Sequence, residues 1–248
     1  MKKLFKEYRV LSSSMPSGLF ALFVAALIAM NLLANKSIDL NVSFLALDCG
    51  IVFSWVIFLV LDIITKRFGA RAANMITVAG LIINLFVALL FFLVNLIPGT
   101  WSQSYVEGSE MIINNSLNAT IANTWYVILG SSVAFVVSAF VNNFLNQFIF
   151  RKFKKQGAKS FLVSSYVSTV IAQFVDNLLF ALIVSLHFFG WTLLQCIMCA
   201  LTGAILELLC EVIFSAFGYR VVTYMEKNNI GNEYLEYIKG NKENENIN

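Results

Sequence analysis

The chain has 248 residues, of which 59% are hydrophobic and only 12% are charged, and its mean hydropathy is +0.78. Soluble domains average roughly 45–50% apolar and 25% charged residues. This composition excludes an ordinary soluble domain and indicates an integral membrane protein. The formal net charge of +3 is explained by membrane topology, so no nucleic-acid partner is predicted.

Six apolar stretches are each long enough to cross a hydrocarbon core about 30 Å thick, which takes about 20 helical residues. They lie at residues 18–35, 49–65, 73–97, 124–150, 161–189 and 191–219. Residues 98–123 carry two acids and no cation and predict a polar outer loop. The predicted fold is all-α and polytopic, with one transmembrane domain over residues 1–225. Residues 226–248 predict a polar cytoplasmic tail that is mostly disordered.

The lysine and arginine residues lie almost entirely on one predicted side of the membrane. Lysine and arginine accumulate in cytoplasmic loops, and all of the 17 cations except Lys36 fall on one face of the six spans. Both termini are therefore predicted to be cytoplasmic, in a multi-pass protein of a bacterial cytoplasmic membrane. The long first span predicts a retained anchor rather than a cleaved signal peptide.

Polar residues inside the spans are the candidates for a binding site. An ionised aspartate at a helix centre costs about 2.5–3.5 kcal/mol in lipid and usually faces a partner, a cavity or a transport path. Asp176 lies in the fifth span with no cation nearby. Asn177 is its neighbour in sequence, and Gln173, three residues earlier, lies on a similar helix face. Other amides pair along one helix face in the fourth and first spans: Asn142 with Asn146, and Asn31 with Asn35.

Side-chain amides donate and accept hydrogen bonds at once, which suits recognition of a neutral heterocycle. Hydrogen bonding between helices, worth about 0.6 kcal/mol on average, is an equally weighted alternative for the amides of the fourth span. For Asp176 a functional role is favoured. In the second span, Asp62 precedes Lys66 by four residues, which predicts a structural ion pair.

Glu207 and Glu211 are four residues apart in the sixth span and share a helix face. Two like charges so close in lipid should not both ionise, which makes the pair a candidate for proton coupling. Alternatively, Glu211 reaches interfacial water and Glu207 alone faces the helix bundle. The two interpretations carry equal weight.

Hydrolytic and cofactor motifs are missing from the sequence. The one histidine, His187, cannot build a His-rich metal site, and no cofactor is predicted. Cys196 and Cys199 form a C-x-x-C inside an apolar helix and are expected to be packing residues. An intramembrane enzyme using Asp62 and Asp176 is the weak alternative, because aspartyl chemistry needs two carboxylates that share a proton.

Several segments resemble the queuosine precursor transporter family, also called the vitamin uptake transporter family. LLANK at 32–36 is similar to its first-helix signature, and FLVLDIITKRFGARAA at 58–73 to its second helix and aromatic-glycine turn. SAFVNNFLNQFIFRKFKK at 138–155 and SYVSTVIAQFVDNLLF at 165–180 resemble its fourth and fifth helices with the basic loop between them.

The resemblance implies import of 7-deazapurine precursors of a tRNA nucleoside, such as preQ0, preQ1 or queuine, with Asp176 or Glu207 supplying a carboxylate. The chain departs from the family at three places. Asn146 stands where the family has an acid, Glu207 where it has a lysine, and Phe217 where it has a proline. The charge pattern near the site is therefore altered.

The closest rival function is the substrate-binding subunit of an energy-coupling-factor vitamin importer. Ala21, Ala25 and Ala29 form a small-residue stripe that resembles the docking motif of those subunits, although ordinary close helix packing is the favoured explanation. Expected partners are a small heterocyclic substrate and the lipid bilayer. A homodimer stays open, and an energy-coupling partner is disfavoured.

Overall fold

The structure is a computed structural model that describes residues 2–38, 40–98, 110–152 and 158–247. Within these ranges the chain forms long α-helices, one short π-helical segment and one two-stranded hairpin. The elements are α1 (Lys2–Ser14), α2 (Ser17–Leu33), β1 (Ser37–Ile38), β2 (Leu47–Asp48), α3 (Ile51–Phe68), α4 (Ala70–Asn95), α5 (Glu110–Lys152), α6 (Ala158–Phe180), the π-helix Ala181–Ser185, α7 (Leu186–Phe188), α8 (Leu193–Lys227) and α9 (Asn232–Ile247).

The all-α, polytopic fold class is confirmed. In the described part of the chain, four helical stretches are long and apolar enough to cross a membrane: Ala70–Asn95, Met111–Ser138, Tyr166–Phe188 and Leu193–Phe214. The pair α1 and α2, bent by 105° at their junction, makes a fifth if it is counted as one broken span. Helix α3 coincides with the predicted second span, but three charged residues lie within its 18 residues.

Large apolar side chains on these helices point outward. On α4, Val78, Ile82 and Phe86 are all more than half exposed. Outward apolar residues would be costly in water and are expected where the solvent is lipid. The composition and the surface of the protein therefore agree on a membrane environment.

Two predicted boundaries are corrected. Helix α5 begins at Glu110, inside the segment predicted to be an outer loop, and runs for 43 residues, or about 65 Å. The polar composition that suggested a loop is tolerated on a helix surface. Helix α8 likewise continues beyond the sixth predicted span, to Lys227.

The expected disordered tail contains helix α9 instead. Its Tyr234 is 1% exposed, packs edge-on against Phe68 with ring centroids 6.1 Å apart, and places its hydroxyl 3.4 Å from Glu7 Oε1. Polar composition alone predicts disorder, but one buried aromatic anchor is enough to hold a short helix against α1.

The chain divides into two compact units where the sequence predicts one domain. The first unit comprises Met1–Ile28, Phe53–Ile83 and Cys210–Asn248, and the second comprises Ala29–Val52 and Asn84–Leu209. In the first unit, Trp55 of α3 stacks on Phe214 of α8 at 4.2 Å between ring centroids. Arg67 at the end of α3 donates to the carbonyl of Ile230 and to Asn232 Oδ1, at 2.8 and 2.7 Å.

The second unit contains the pairing of α5 with α6 and the hairpin β1–β2, in which Ser37 opposes Asp48. Trp191, Cys196 and Cys199 are buried in a hydrophobic cluster with Leu47. All four cysteines of the chain are free. The prediction that the C-x-x-C residues are packing residues is therefore confirmed.

Candidate functional site

Helix α6 carries two of the polar contacts between helices of the second unit. Asp176 is half-buried on this helix, and its Oδ1 lies 2.9 Å from the hydroxyl Oγ of Ser138 on α5. The next residue, Asn177, places its Nδ2 3.3 Å from Glu207 Oε2 on α8. Two consecutive residues of α6 thus contact two different helices through polar groups.

Glu207 is a buried carboxylate, 3% exposed, that accepts a hydrogen bond from an amide. Helix α8 lets Asn177 approach because Gly203 has no side chain. A Cβ built at Gly203 would lie 2.7 Å from Asn177 Nδ2 and 3.2 Å from its Cγ. The contact between α6 and α8 therefore depends on a glycine one turn before Glu207.

Gln173 of α6 differs from Asp176, Asn177 and Glu207 in its hydrogen bonding. Its side chain is 1% exposed, and neither its Oε1 nor its Nε2 finds a hydrogen-bond partner among the described residues. A buried amide without partners costs about 1–3 kcal/mol, so native proteins rarely leave one without a reason. Gln173 holds one acceptor and two donor hydrogens that nothing in the described chain uses.

Helix geometry places Gln173 between the two polar contacts. With 3.6 residues per turn, Asp176 projects about 60° to one side of Gln173 and Asn177 about 40° to the other. The three side chains therefore form one polar face, defined here as the α6 polar face. It contains an unused amide flanked by two groups that already have partners.

The candidate amides of the first span lie in a different polar network. Asn31 Nδ2 donates to Asn84 Oδ1 of α4 at 3.2 Å, and Asn35 Nδ2 lies 3.1 Å from Thr124 Oγ1 of α5. Asn35 Oδ1 and Asn84 Nδ2 are buried without a partner in the described residues. These contacts join α2 to α4 and α5.

Asp48 is a polar residue that sequence reasoning missed. It ends β2, its Oδ1 accepts from the Gly50 N–H at 2.8 Å, and burial raises the pKa of its carboxyl to about 6. Leu47, the residue before Asp48, lies in the same buried hydrophobic cluster as Cys199 of α8. The available sequence signal was an acid followed two residues later by glycine, immediately before an apolar span.

The remaining predicted residues have mixed outcomes. Asp62 Oδ2 lies 3.6 Å from Lys66 Nζ, and both side chains are about half exposed. Exposed ion pairs contribute little stability. The side chains of Asn142, Asn146 and Glu211 lie outside the described residues, although their backbone belongs to α5 and α8. Within the described chain, no group of three or more potential metal ligands occurs.

The fold defines a polytopic α-helical membrane protein with polar side chains buried between its helices. A family model described as "Putative vitamin uptake transporter" matches residues 48–221, more than two thirds of the chain. The chain therefore belongs to the vitamin uptake transporter family and is a membrane transporter. No curated protein and no solved structure matches the chain.

Proposed function

We propose that this protein imports a nitrogen-rich heterocycle across a bacterial cytoplasmic membrane by alternating access. The proposed cargo is a 7-deazapurine precursor of queuosine, such as preQ0, preQ1 or queuine, or a related vitamin-like compound, used for salvage in tRNA modification. The observation that carries the proposal is Gln173, a buried amide whose donor and acceptor groups have no partner among the described residues.

The chemistry of such a cargo fits the α6 polar face. The edge of a guanine-like ring presents an amide and an amino group, which a carboxylate can bind through two parallel hydrogen bonds. A side-chain amide can bond the ring carbonyl and a ring nitrogen at the same time. We assign the amide role to Gln173, with Asn177 beside it.

The carboxylate role belongs to Asp176 or Glu207. Glu207 is the better candidate for substrate binding, because it is almost fully buried and accepts a hydrogen bond from Asn177 of the α6 polar face. Asp176 is already engaged by Ser138.

The first test is uptake of tritium-labelled preQ0 and preQ1 by cells that cannot synthesise them, expressing the full chain without any coupling subunit. Replacing Gln173→Met removes the unused amide while keeping side-chain length. We expect uptake to fall about tenfold or more, since two lost hydrogen bonds of about 1 kcal/mol each exceed one factor of ten. The melting temperature without cargo should not fall, because Gln173 bonds to no described group.

Gln195→Met is the matched control. Gln195 caps the start of α8, where its Oε1 accepts from the Thr192 N–H at 2.8 Å and its Nε2 donates to the Ser43 carbonyl at 3.1 Å. This variant should lower the melting temperature instead. A Gln173→Met protein that melts early but still transports would assign Gln173 a structural role and remove the main support for the proposed site.

A second candidate function is supported by one observation. Ala21 and Ala25 of the small-residue stripe are exposed on α2, so the packing within the chain that was expected to explain the stripe does not cover them. An exposed stripe of this kind suits docking of another membrane helix, as in the substrate-binding subunit of an energy-coupling-factor importer. Co-purification of a coupling protein with ATPases, and uptake only in their presence, would favour this alternative.

A further inference from the structure

The contact between Asp176 and Ser138 contains an excess of acceptors. Ser138 Oγ lies 2.9 Å from Asp176 Oδ1 and also 2.9 Å from the backbone carbonyl oxygen of Phe135. A serine hydroxyl carries one hydrogen and can accept further bonds through its oxygen. One hydrogen cannot serve both acceptors at full strength.

Protonation of Asp176 resolves this conflict. The acid O–H then donates to Ser138 Oγ, and the serine hydrogen donates to the Phe135 carbonyl, so all three oxygens take part in a continuous chain. With Asp176 ionised, the serine hydrogen turns to the carboxylate and the Phe135 carbonyl loses this bond. The arrangement accommodates both states by rotation of one hydroxyl.

Other charges do not compete for this position in the described chain. Helix α5 presents no ionisable side chain between Gly130 and Val141, and neither does the π-helix Ala181–Ser185. On α6 itself no other ionisable group lies between Ser168 and Phe180. Helix α8 contributes Glu207, which is bonded to Asn177.

We propose that Asp176 is the coupling carboxyl of the transporter and carries one proton inward with each molecule of cargo. The inference rests on the proposed import function and deepens it. In the outward-facing state a proton from external water forms the O–H bond on Asp176, and the Ser138 hydrogen bonds the Phe135 carbonyl. In the inward-facing state that O–H bond breaks, the proton passes to cytoplasmic water, and the Ser138 hydrogen turns to the carboxylate.

The transport test uses the purified full chain in proteoliposomes with tritium-labelled preQ1 as the probe and the membrane potential clamped. At equilibrium, one proton per cargo and an external pH one unit lower should concentrate the probe about tenfold inside. In Asp176→Asn, uptake of the probe should not rise when the outside is acidified. Glu207→Gln, which leaves the coupling carboxyl in place, should bind the probe more weakly but keep the response to acid.

Two results distinguish a failure of the proposed proton coupling from a failure of the proposed cargo. If the parent exchanges the probe but ignores the pH gradient, the coupling is refuted and the proposed function survives. If the parent exchanges neither preQ1 nor preQ0, the proposed cargo is refuted.

Infrared difference spectra with pH test the proton site without any cargo. We expect the carbonyl band of a protonated carboxyl in the parent, its loss in Asp176→Asn, and its displacement in Ser138→Ala, where the acid loses its acceptor. A band that persists in Asp176→Asn, or that does not move in Ser138→Ala, would overturn the proposal even if the cargo differs.

Discussion

At the scale of single residues, Gly203 controls the contact between Asn177 and Glu207. In Gly203→Ala the new methyl group would occupy the space of the Asn177 amide, which lies 2.7 Å from the position of its Cβ. We expect Asn177 to move away from Glu207 and uptake of labelled preQ1 to fall, with the amount of protein in the membrane unchanged.

Gly18→Ala is the control for this prediction, because a Cβ at Gly18 meets nothing within 4 Å. It should transport like the parent. Equal uptake by Gly203→Ala and Gly18→Ala would show that the Asn177–Glu207 contact does not contribute to transport.

Asp48 predicts a pH dependence of stability. Burial raises the pKa of this carboxyl from 3.8 to about 6, and the Gly50 N–H opposes the rise. Because the folded state holds the proton more tightly than the unfolded state, this contribution to stability is fully present below pH 3.8 and is lost as the pH rises through about 6. The melting temperature in detergent should therefore fall across that interval.

Asp48→Asn removes the titrating carboxyl group. Its side-chain amide oxygen can still accept the hydrogen bond from the Gly50 N–H. The variant should show a smaller fall in melting temperature between pH 4 and pH 6 than the parent. If the two proteins lose the same number of degrees, the pH dependence comes from other groups.

At the scale of elements, α9 packs against α1 around one buried aromatic side chain. Tyr234 is buried among Phe68 and Glu7, and Glu7, itself 1% exposed, pairs with Arg71 at 2.6 Å. Truncation of a buried aromatic side chain costs about 3–5 kcal/mol. A polar helix of 16 residues has little stability of its own, so losing this anchor should release it.

Tyr234→Ala is therefore expected to undock α9 without unfolding the membrane helices. Hydrogen exchange of the backbone amides of residues 233–241 should accelerate strongly, while the amides of α4 and α6 stay protected. Glu236→Ala, at an exposed position of the same helix, should leave exchange unchanged. Unaltered protection in Tyr234→Ala would mean that α9 is held by other contacts.

At the scale of the whole molecule, the charge distribution predicts orientation. Lys36 is the one cation of the sequence on the predicted outer face, whereas Lys227 follows the last apolar span. In a background where the four native cysteines are replaced, Lys36→Cys should react with a membrane-impermeant maleimide in intact cells. Lys227→Cys should react only after permeabilisation, and the reverse pattern would refute the predicted cytoplasmic termini.

Much of the fold was predictable because the relevant energies are local. Transfer of apolar residues into lipid sums along the chain, so hydropathy identified the membrane class, and helical spacing identified the Asp62–Lys66 pair. The start of α5 was wrong because a segment with two acids and no cation suggests a polar loop, although a helix can carry polar residues on its surface. The order of α9 was missed because it depends on Tyr234 reaching Phe68 and Glu7, which are distant in sequence.

The candidate site was predictable only as a set of residue types. The sequence by itself determined that Asp176 and Gln173 lie on a similar face of an apolar helix, because the period of the helix dictates it. Tertiary structure alone decided that Ser138 meets Asp176, that Asn177 meets Glu207, and that Gln173 is left without a partner in the described chain. These pairings depend on how each helix is rotated and shifted against its neighbours, and spacing along one helix carries no information about that.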